Sequence, residues 1–150
     1  MLLVLVDSKK NYALHSGTSF DYLVKMGNVK SGVSFQNKVL EYHLEGILNI
    51  IAEVENEVIP DSTVIKGSSY FFSESTAKKL GFEIAPTNNF EKIVICLNYL
   101  EIFWMLSRTK GKLTFPKINN FKTVQTTGEK LAKKKPFIEN LYLKLKKRNG

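Results

Sequence analysis

The sequence predicts a single domain of the α/β or α+β class, in which a small mixed sheet packs against two long helices and a basic helix follows. Two stretches, 35–58 and 90–109, carry apolar residues at helical spacing. Shorter stretches rich in β-branched and aromatic residues lie around them. With 150 residues, of which 43% are hydrophobic, the chain is long enough for one core. We therefore treat residues 1–150 as one domain on which a basic segment, 111–150, is docked.

The strands of the sheet are predicted from short apolar or alternating segments. Residues 2–7 and 11–15 are expected to form a hairpin around a polar, turn-like link. A glycine-rich stretch follows, and a short strand is predicted within it at 22–26. Two further strands are predicted at 63–72 and 83–85, the second of which is closed by a proline.

The two long helices differ in their polarity. Ser34 is the expected N-cap of the first, 35–58, whose glutamates lie mainly on the side opposite its apolar face. The second, 90–109, is apolar almost all round, so we expect it at the centre of the core or beneath a partner. Cys96 lies within this helix and is expected to be a small buried hydrophobe. Gly111 is placed to end the helix.

The C-terminal segment carries a capping-box pattern, Thr126 with Glu129, that predicts the start of a further helix. This helix is expected to extend to Arg148 with an interruption at Pro136. One stripe of apolar residues should dock it on the rest of the molecule. The stripe consists of Phe137, Ile138, Leu141, Tyr142 and Leu145.

Charge is distributed unevenly along the chain. Residues 108–150 hold 13 Lys/Arg and 2 Glu, a net charge of +11, whereas residues 1–107 have a net charge of −3. Such a segment can bind nucleic acid or another polyanion, or lie on an anionic membrane surface. It can equally be a solvated lysine-rich face, and the sequence leaves this open. The candidate polyanion-binding residues are Lys133, Lys134, Lys135, Lys144, Lys146, Lys147 and Arg148.

Known motifs for nucleotide or metal chemistry are incomplete in this sequence. Gly27 and Gly32 have the spacing of a P-loop, but Val33 stands where that motif needs lysine. The two histidines, His15 and His43, do not have a diagnostic ligand spacing, so we predict no metal site. For His43 we expect a satisfied, partly buried side chain.

The cellular setting is predicted from two features. The single cysteine excludes an intrachain disulfide and fits a reducing compartment, so we expect a cytoplasmic protein. The most apolar stretch, 93–106, is shorter than the roughly 20 residues needed to span a bilayer, so no transmembrane segment is expected.

One segment resembles a known family. Residues 77–83, Ala-Lys-Lys-Leu-Gly-Phe-Glu, end a short helix that Ser73 is placed to cap, with Gly81 as its C′ residue and Phe82 in contact behind it. A long helix, a strand, this short helix and another strand together resemble the C-terminal half of a GNAT acetyltransferase. The resemblance covers residues 34–84. The chain departs from the family's pyrophosphate loop and has Ala77 where a tyrosine is often the general acid.

The resemblance implies transfer of an acyl group from acetyl-CoA to an amine. The pyrophosphate would lie at the positive end of the first long helix, on the amides of Gly32, Val33, Ser34 and Phe35. The amine needs a base, for which Tyr70 and Glu83 are candidates by location. Whether strands 63–72 and 83–85 splay apart into a V-shaped cleft would help to decide if the chain is such an enzyme. The alternatives are a non-enzymatic module that binds nucleic acid or another polyanion, and a protein-interaction domain that uses helix 90–109 as its partner surface.

Overall fold

The computed structural model describes residues 2–7, 11–16, 18–69, 73–87, 89–117 and 120–149. Within these residues a five-stranded mixed sheet is combined with seven helices, which confirms the predicted fold class. The strands are β1 (Leu2–Asp7), β2 (Asn11–Ser16), β3 (Val64–Ser69), β4 (Glu83–Ala85) and β5 (Lys122–Thr127). The helices are α1 (Ser19–Met26), α2 (Val33–Glu55), α3 (Glu74–Lys79), α4 (Asn89–Leu97), α5 (Tyr99–Lys110), α6 (Gly128–Ala132) and α7 (Lys135–Asn149).

The sheet has the strand order β1-β2-β3-β5-β4. β1 and β2 pair antiparallel from Leu2↔Ser16 to Asp7↔Asn11, as the predicted hairpin requires. β2 and β3 are parallel, and the connection between them contains α2, since parallel neighbours need a long crossover. β5 pairs antiparallel with β3 on one side and with β4 on the other.

The position of β5 answers whether strands 63–72 and 83–85 splay apart. β5 fills the space between β3 and β4 and pairs with both, so these two strands enclose no cleft. β5 begins at Lys122, within a stretch whose sequence is typical of extended, irregular chain. The Thr and Val residues of β5 are β-branched and favour a strand, but Lys122 and Gln125 make the strand harder to recognise from the sequence.

α2 begins two residues earlier than predicted. Its N-cap is Gly32, at φ 94°, and not Ser34, and the cap forms no side-chain hydrogen bond. Glycine is favoured there because a side chain rarely tolerates a positive φ. The helix ends at Glu55, before the predicted Val58, whose amide instead closes a turn on the carbonyl of Glu53.

The core is divided between the two halves of α2. Leu44, Ile51 and neighbouring residues of the second half pack on the sheet through Ile65 and Val124. Phe35 and Val39 of the first half belong to a separate cluster that is completed by α1 and α5, with Tyr22, Met26 and Met105. The helix therefore extends past the sheet and carries a second, all-helical core at its start.

α7 docks antiparallel along α2. Its first residue, Lys135, forms a 2.6 Å ion pair with Glu55 at the end of α2. Its last residue, Asn149, donates a 2.5 Å hydrogen bond to Glu41 in the first half. Glu41 is therefore buried, although the glutamates of α2 were expected mainly on the solvent side.

The predicted stripe explains most of this docking. Ile138 and Leu145 are buried, and Leu141 and Tyr142 are partly buried against the core. Phe137 differs, since 45% of its surface is exposed. The break before α7 falls at residues 133–134, which leaves Pro136 in the first helical turn, where proline is tolerated.

Local capping signals near the second half of the sheet are largely confirmed. Ser73 accepts a hydrogen bond from the amide of Thr76, and Gly81 ends α3 with φ 88°. Phe82 is buried behind it, as expected. The cap of α6 is Thr127 and not Thr126, whose hydroxyl donates to the carbonyl of Gly81 at 2.7 Å.

Two predictions about helices are wrong. Residues 22–26 belong to α1 and not to a strand, because Thr18 and Asp21 form a capping box that starts the helix. The apolar stretch 90–109 is broken into α4 and α5 at Asn98, although Gly111 ends it in the left-handed conformation as expected. Cys96 lies on the exposed side of α4, so its expected burial is also wrong.

Among the described residues, no helix is long and apolar enough to cross a membrane.

Candidate functional site

The pairing of the two parallel strands ends before the strands themselves do. β2 and β3 pair from Asn11↔Val64 to Leu14↔Gly67, and among the described residues their pairing stops there. Each strand continues for two residues, 15–16 and 68–69. The backbones approach closely at the last pair, since a Cβ on Gly67 would lie 3.0 Å from Cβ of Leu14. We call the strand ends beyond this pair the strand opening; the carboxyl ends of parallel strands are a common place for ligands.

A cluster of hydroxyl groups and one carboxylate lies beside the strand opening. Ser68 of β3 and Thr123 of β5 are cross-strand partners, and their hydroxyl oxygens are 3.4 Å apart. Oγ1 of Thr123 lies 2.9 Å from Oε2 of Glu91 and 3.2 Å from Oγ1 of Thr87. Glu91 comes from the first turn of α4, and Thr87 lies between β4 and α4. We call these four residues the Glu91 cluster.

The hydrogen bonds of the Glu91 cluster have a direction. Thr123 is buried and has one hydroxyl proton, which it donates to the Glu91 carboxylate. Thr87 Oγ1 is a second possible acceptor of this proton, at 3.2 Å, and the Thr123 oxygen can accept from Ser68. Ser68 is exposed, so a group that enters the strand opening can reach it. Such a chain of hydroxyls that ends on a carboxylate can accept a proton from a reacting group.

The sequence did not indicate this cluster. Its members come from β3, β5, α4 and the link before α4, and no fixed spacing joins them. The only local signal was the hydroxyl-rich run in residues 123–127, which is also what an ordinary strand contains.

The predicted pyrophosphate residues lie at the start of α2, within the all-helical core. The amide of Gly32 donates to the carbonyl of Arg108 at 2.8 Å, and that of Phe35 to the carbonyl of Lys30 at 3.2 Å. The Phe35 ring is buried between the Trp104 ring and the Arg108 guanidinium, which lies 4.9 Å from its centroid. Two of the four amides are therefore committed within the protein.

Val33 and Ser34 have a different setting. Both are exposed in the first turn of α2, where amides point along the helix axis towards solvent. α2 has 23 residues and is about 35 Å long, whereas a six-residue strand spans about 20 Å. The helix start therefore extends beyond the sheet on its carboxyl side.

The predicted bases are placed differently from the Glu91 cluster. Glu83 is exposed on β4, separated from β3 by β5, and its Oε1 forms a 2.6 Å ion pair with Lys130. Tyr70 lies outside the described residues. Tyr70 and Glu83 were the predicted candidate bases; of these, Glu83 contacts α6 through Lys130 and does not lie on β2 or β3.

The structure divides the seven predicted polyanion-binding residues into two groups. Lys133 and Lys135 form ion pairs with Glu129 and Glu55, which raises the pKa of both lysines, and Lys134 lies against Gly81. The remaining four are exposed on the last turns of α7 and form no salt bridge among the described residues. These four, the basic end of α7, are Lys144, Lys146, Lys147 and Arg148.

His43 is the satisfied, buried histidine that the sequence predicted. Its Nδ1 donates to the carbonyl of Val39 at 2.8 Å, and burial lowers its pKa to about 4. In the part of the chain that the structure describes, no group of three or more His, Cys, Asp or Glu side chains is arranged to hold a metal ion.

Comparison with known proteins gives no further assignment of this site. A scan against protein-family models, a search of curated proteins and a search of solved structures each found no match to the chain.

Proposed function

We propose that this protein is an acyl-CoA-dependent N-acyltransferase that binds the acyl-CoA in the strand opening. The observation that carries the proposal is that the pairing of β2 with β3 ends at Leu14 and Gly67, while both strands continue for two more residues. The pantetheine arm of acyl-CoA is an extended chain with amide groups, so it can pair with main-chain groups of these strand ends as an added strand does. The order α2, β3, α3, β4, on which the resemblance to GNAT acetyltransferases depends, is present.

The Glu91 cluster supplies a base for this reaction. The amine nitrogen attacks the thioester carbonyl carbon, the C–N bond forms, and the C–S bond breaks. The amine proton passes through the hydroxyls of Ser68 and Thr123 to Glu91, and coenzyme A leaves as a thiolate that takes up a proton. We favour Glu91 over Glu83, because Glu91 is bonded to Thr123 beside Ser68, whereas Glu83 lies on β4 and pairs with Lys130.

The phosphates of the acyl-CoA would lie at the start of α2. Of the predicted set Gly32–Phe35, the exposed residues Val33 and Ser34 are the ones we propose as amide donors. The positive end of the helix dipole favours an anion there by about 0.3–1 kcal/mol.

Calorimetry with acetyl-CoA tests the binding step, and Glu91→Gln tests the chemistry. Glutamine keeps an acceptor for the Thr123 hydroxyl but cannot take a proton, so acetyl-CoA should still bind. Release of free thiol from acetyl-CoA in the presence of primary amines should fall by about 10²–10⁴-fold. Glu83→Gln is the matched control and should retain activity. No detectable heat with millimolar acetyl-CoA would remove the proposal.

A second candidate function, polyanion binding, is favoured by one observation. The four cations at the basic end of α7 are exposed within five consecutive residues and form no salt bridge among the described residues, although Lys146 acts electrostatically on Glu41. Part of this arrangement serves α7 itself, because cations at a helix C-terminus interact favourably with the dipole. Lys146 also stacks over the Tyr142 ring, at 5.6 Å from its centroid. What remains is a compact positive surface that phosphates can neutralise.

A salt titration of binding to a duplex DNA tests this second function. The slope of log K against log salt should become shallower by about 0.9 for each phosphate that the protein no longer neutralises. Alanine at Lys144, Lys146, Lys147 and Arg148 should reduce the slope, whereas alanine at the exposed Lys25, Lys66, Lys79 and Lys92 should leave it unchanged. Binding that does not depend on salt, or equal effects of the two variants, would contradict phosphate binding through α7.

A further inference from the structure

An apolar surface runs along the outer side of α4 and α5. Leu97 and Leu100 are 81% and 79% exposed at the junction of the two helices. Leu113 and Phe115, in the segment that follows α5, are 80% and 71% exposed. Large apolar side chains exposed together mark a surface that contacts something else.

Contacts between α5 and the segment 112–117 hold the segment against the helix. The segment runs back along α5, with the amide of Thr114 bonded to Ser107 at 3.0 Å. The Phe115 ring stacks on Phe103 with centroids 4.9 Å apart, and the Tyr99 hydroxyl donates to the carbonyl of Pro116 at 3.3 Å. The segment is thus held in place, and its leucine and phenylalanine protrude from an ordered support.

Positive charge surrounds the protruding residues. Lys110, Lys112 and Lys117 are exposed beside Leu113 and Phe115. Residues 102–128 include no Asp or Glu. The acidic residue of α5, Glu101, lines a concavity on the α1 side of the helix together with Phe20, Leu100 and Trp104, so it borders the surface at Leu100.

We propose that this surface docks the protein on an anionic lipid bilayer. Leu113 and Phe115 would enter the boundary between headgroups and acyl chains, with Leu97 and Leu100 beside them. The three lysines would contact the anionic headgroups, and Phe103 with Trp104 would lie at the level of the interface. Association of this kind needs no spanning helix.

The geometry favours a lipid surface over a protein partner or nucleic acid. The four apolar residues protrude, whereas the hot spots of a protein interface are centred on well-packed pockets. Bases of nucleic acid stack on aromatic rings, but the exposed residues here are mostly leucines. Lysines and large apolar residues lie side by side here. On an anionic bilayer the lysines are attracted to the headgroups and the apolar side chains are buried in the acyl region, and both effects strengthen binding.

Sedimentation with vesicles tests the proposal. The full chain should bind vesicles of phosphatidylcholine with phosphatidylglycerol, and binding should weaken when phosphatidylglycerol is omitted or salt is raised. The double variant Leu100→Ser/Leu113→Ser should bind at least about tenfold more weakly, because two exposed leucines no longer enter the bilayer. Both positions are exposed, so the variant should fold, which circular dichroism checks.

Leu143→Ser is the matched control, since Leu143 is 56% exposed on α7, outside this surface. It should bind vesicles as the unchanged protein does. The proposal is overturned if the protein ignores anionic vesicles, or if the control and the double variant lose binding equally. It is also overturned if the protein is a dimer that the double variant converts to a monomer, because the surface would then be an interface between two copies. These outcomes are independent of acetyl-CoA binding.

Discussion

His43 lies on the buried side of α2, where its hydrogen bond to Val39 does not offset the cost of burying a charge. Burial lowers the pKa of His43 to about 4, so the folded protein holds the neutral imidazole at neutral pH. In the unfolded chain His43 takes up a proton below about pH 6.5, the usual pKa of histidine. The unfolded state therefore binds more protons between the two values, and stability falls as pH drops through this window.

This residue-scale effect predicts a loss of about 3 kcal/mol from pH 7 to pH 4 that is due to His43. Denaturant unfolding of the native protein and of His43→Leu, measured at several pH values, checks it. Glu41 has a lowered pKa and contributes its own loss of stability, but only below about pH 4.5. Between about pH 5 and pH 6.5, the difference in stability between the two proteins therefore reports the contribution of His43. Equal slopes of stability against pH in the two proteins would contradict the assignment.

At the scale of elements, Arg108 joins three helices. Its Nη2 donates to the carbonyl of Met26, the last residue of α1, at 3.3 Å and to that of Val29 at 2.8 Å, and its guanidinium packs against the Phe35 ring of α2. The arginine thus caps the end of α1 from α5. Because α2 extends beyond the sheet, this bond set is a principal link between α1 and the rest of the all-helical core.

We expect Arg108→Lys to destabilise the protein by roughly 1–3 kcal/mol, since lysine cannot bond several carbonyls and stack on the ring together. Hydrogen exchange of α1 amides should increase more than exchange in β3 or β5. Lys110→Ala, at an exposed position on the same helix, is the control. It should change the free energy of unfolding by no more than about 0.5 kcal/mol and leave hydrogen exchange of α1 unchanged. Uniform loss of protection across the sheet would show that Arg108 does not act locally on α1.

Among the helices, α3 was predictable from the sequence, whereas α1 and the exposure of the stretch 90–109 were not. α3 was predicted with its cap at Ser73 and its end at Gly81, because both signals lie within a few residues of the helix. α1 was missed because a strand was predicted from its apolar residues, while the Thr18–Asp21 capping box was overlooked. The apolar stretch 90–109 was expected in the core, since periodicity cannot show which residues a second element will cover.

At the scale of the whole molecule, the three proposed surfaces use different residues, although Glu91 and Leu97 lie at opposite ends of α4. The strand opening and the Glu91 cluster are at the carboxyl ends of β2 and β3, the basic end of α7 lies beside the first half of α2, and the apolar surface is on α4 and α5. Variants at Glu91, at Lys147 and at Leu100 therefore test separate functions in one protein. If a single variant abolished all three activities, loss of folding would be the common cause.

The amino-acid sequence by itself determined the class of the fold, the first hairpin, and the ends of helices at Ser73, Gly81 and Gly111. These depend on residues close together in the chain, where capping, backbone conformation and periodicity act. Only the tertiary structure decided that β5 lies between β3 and β4, that Glu91 meets Thr123, and that Leu97 and Leu100 remain exposed. Each of these depends on which distant segments meet, and that is set by packing of the whole chain.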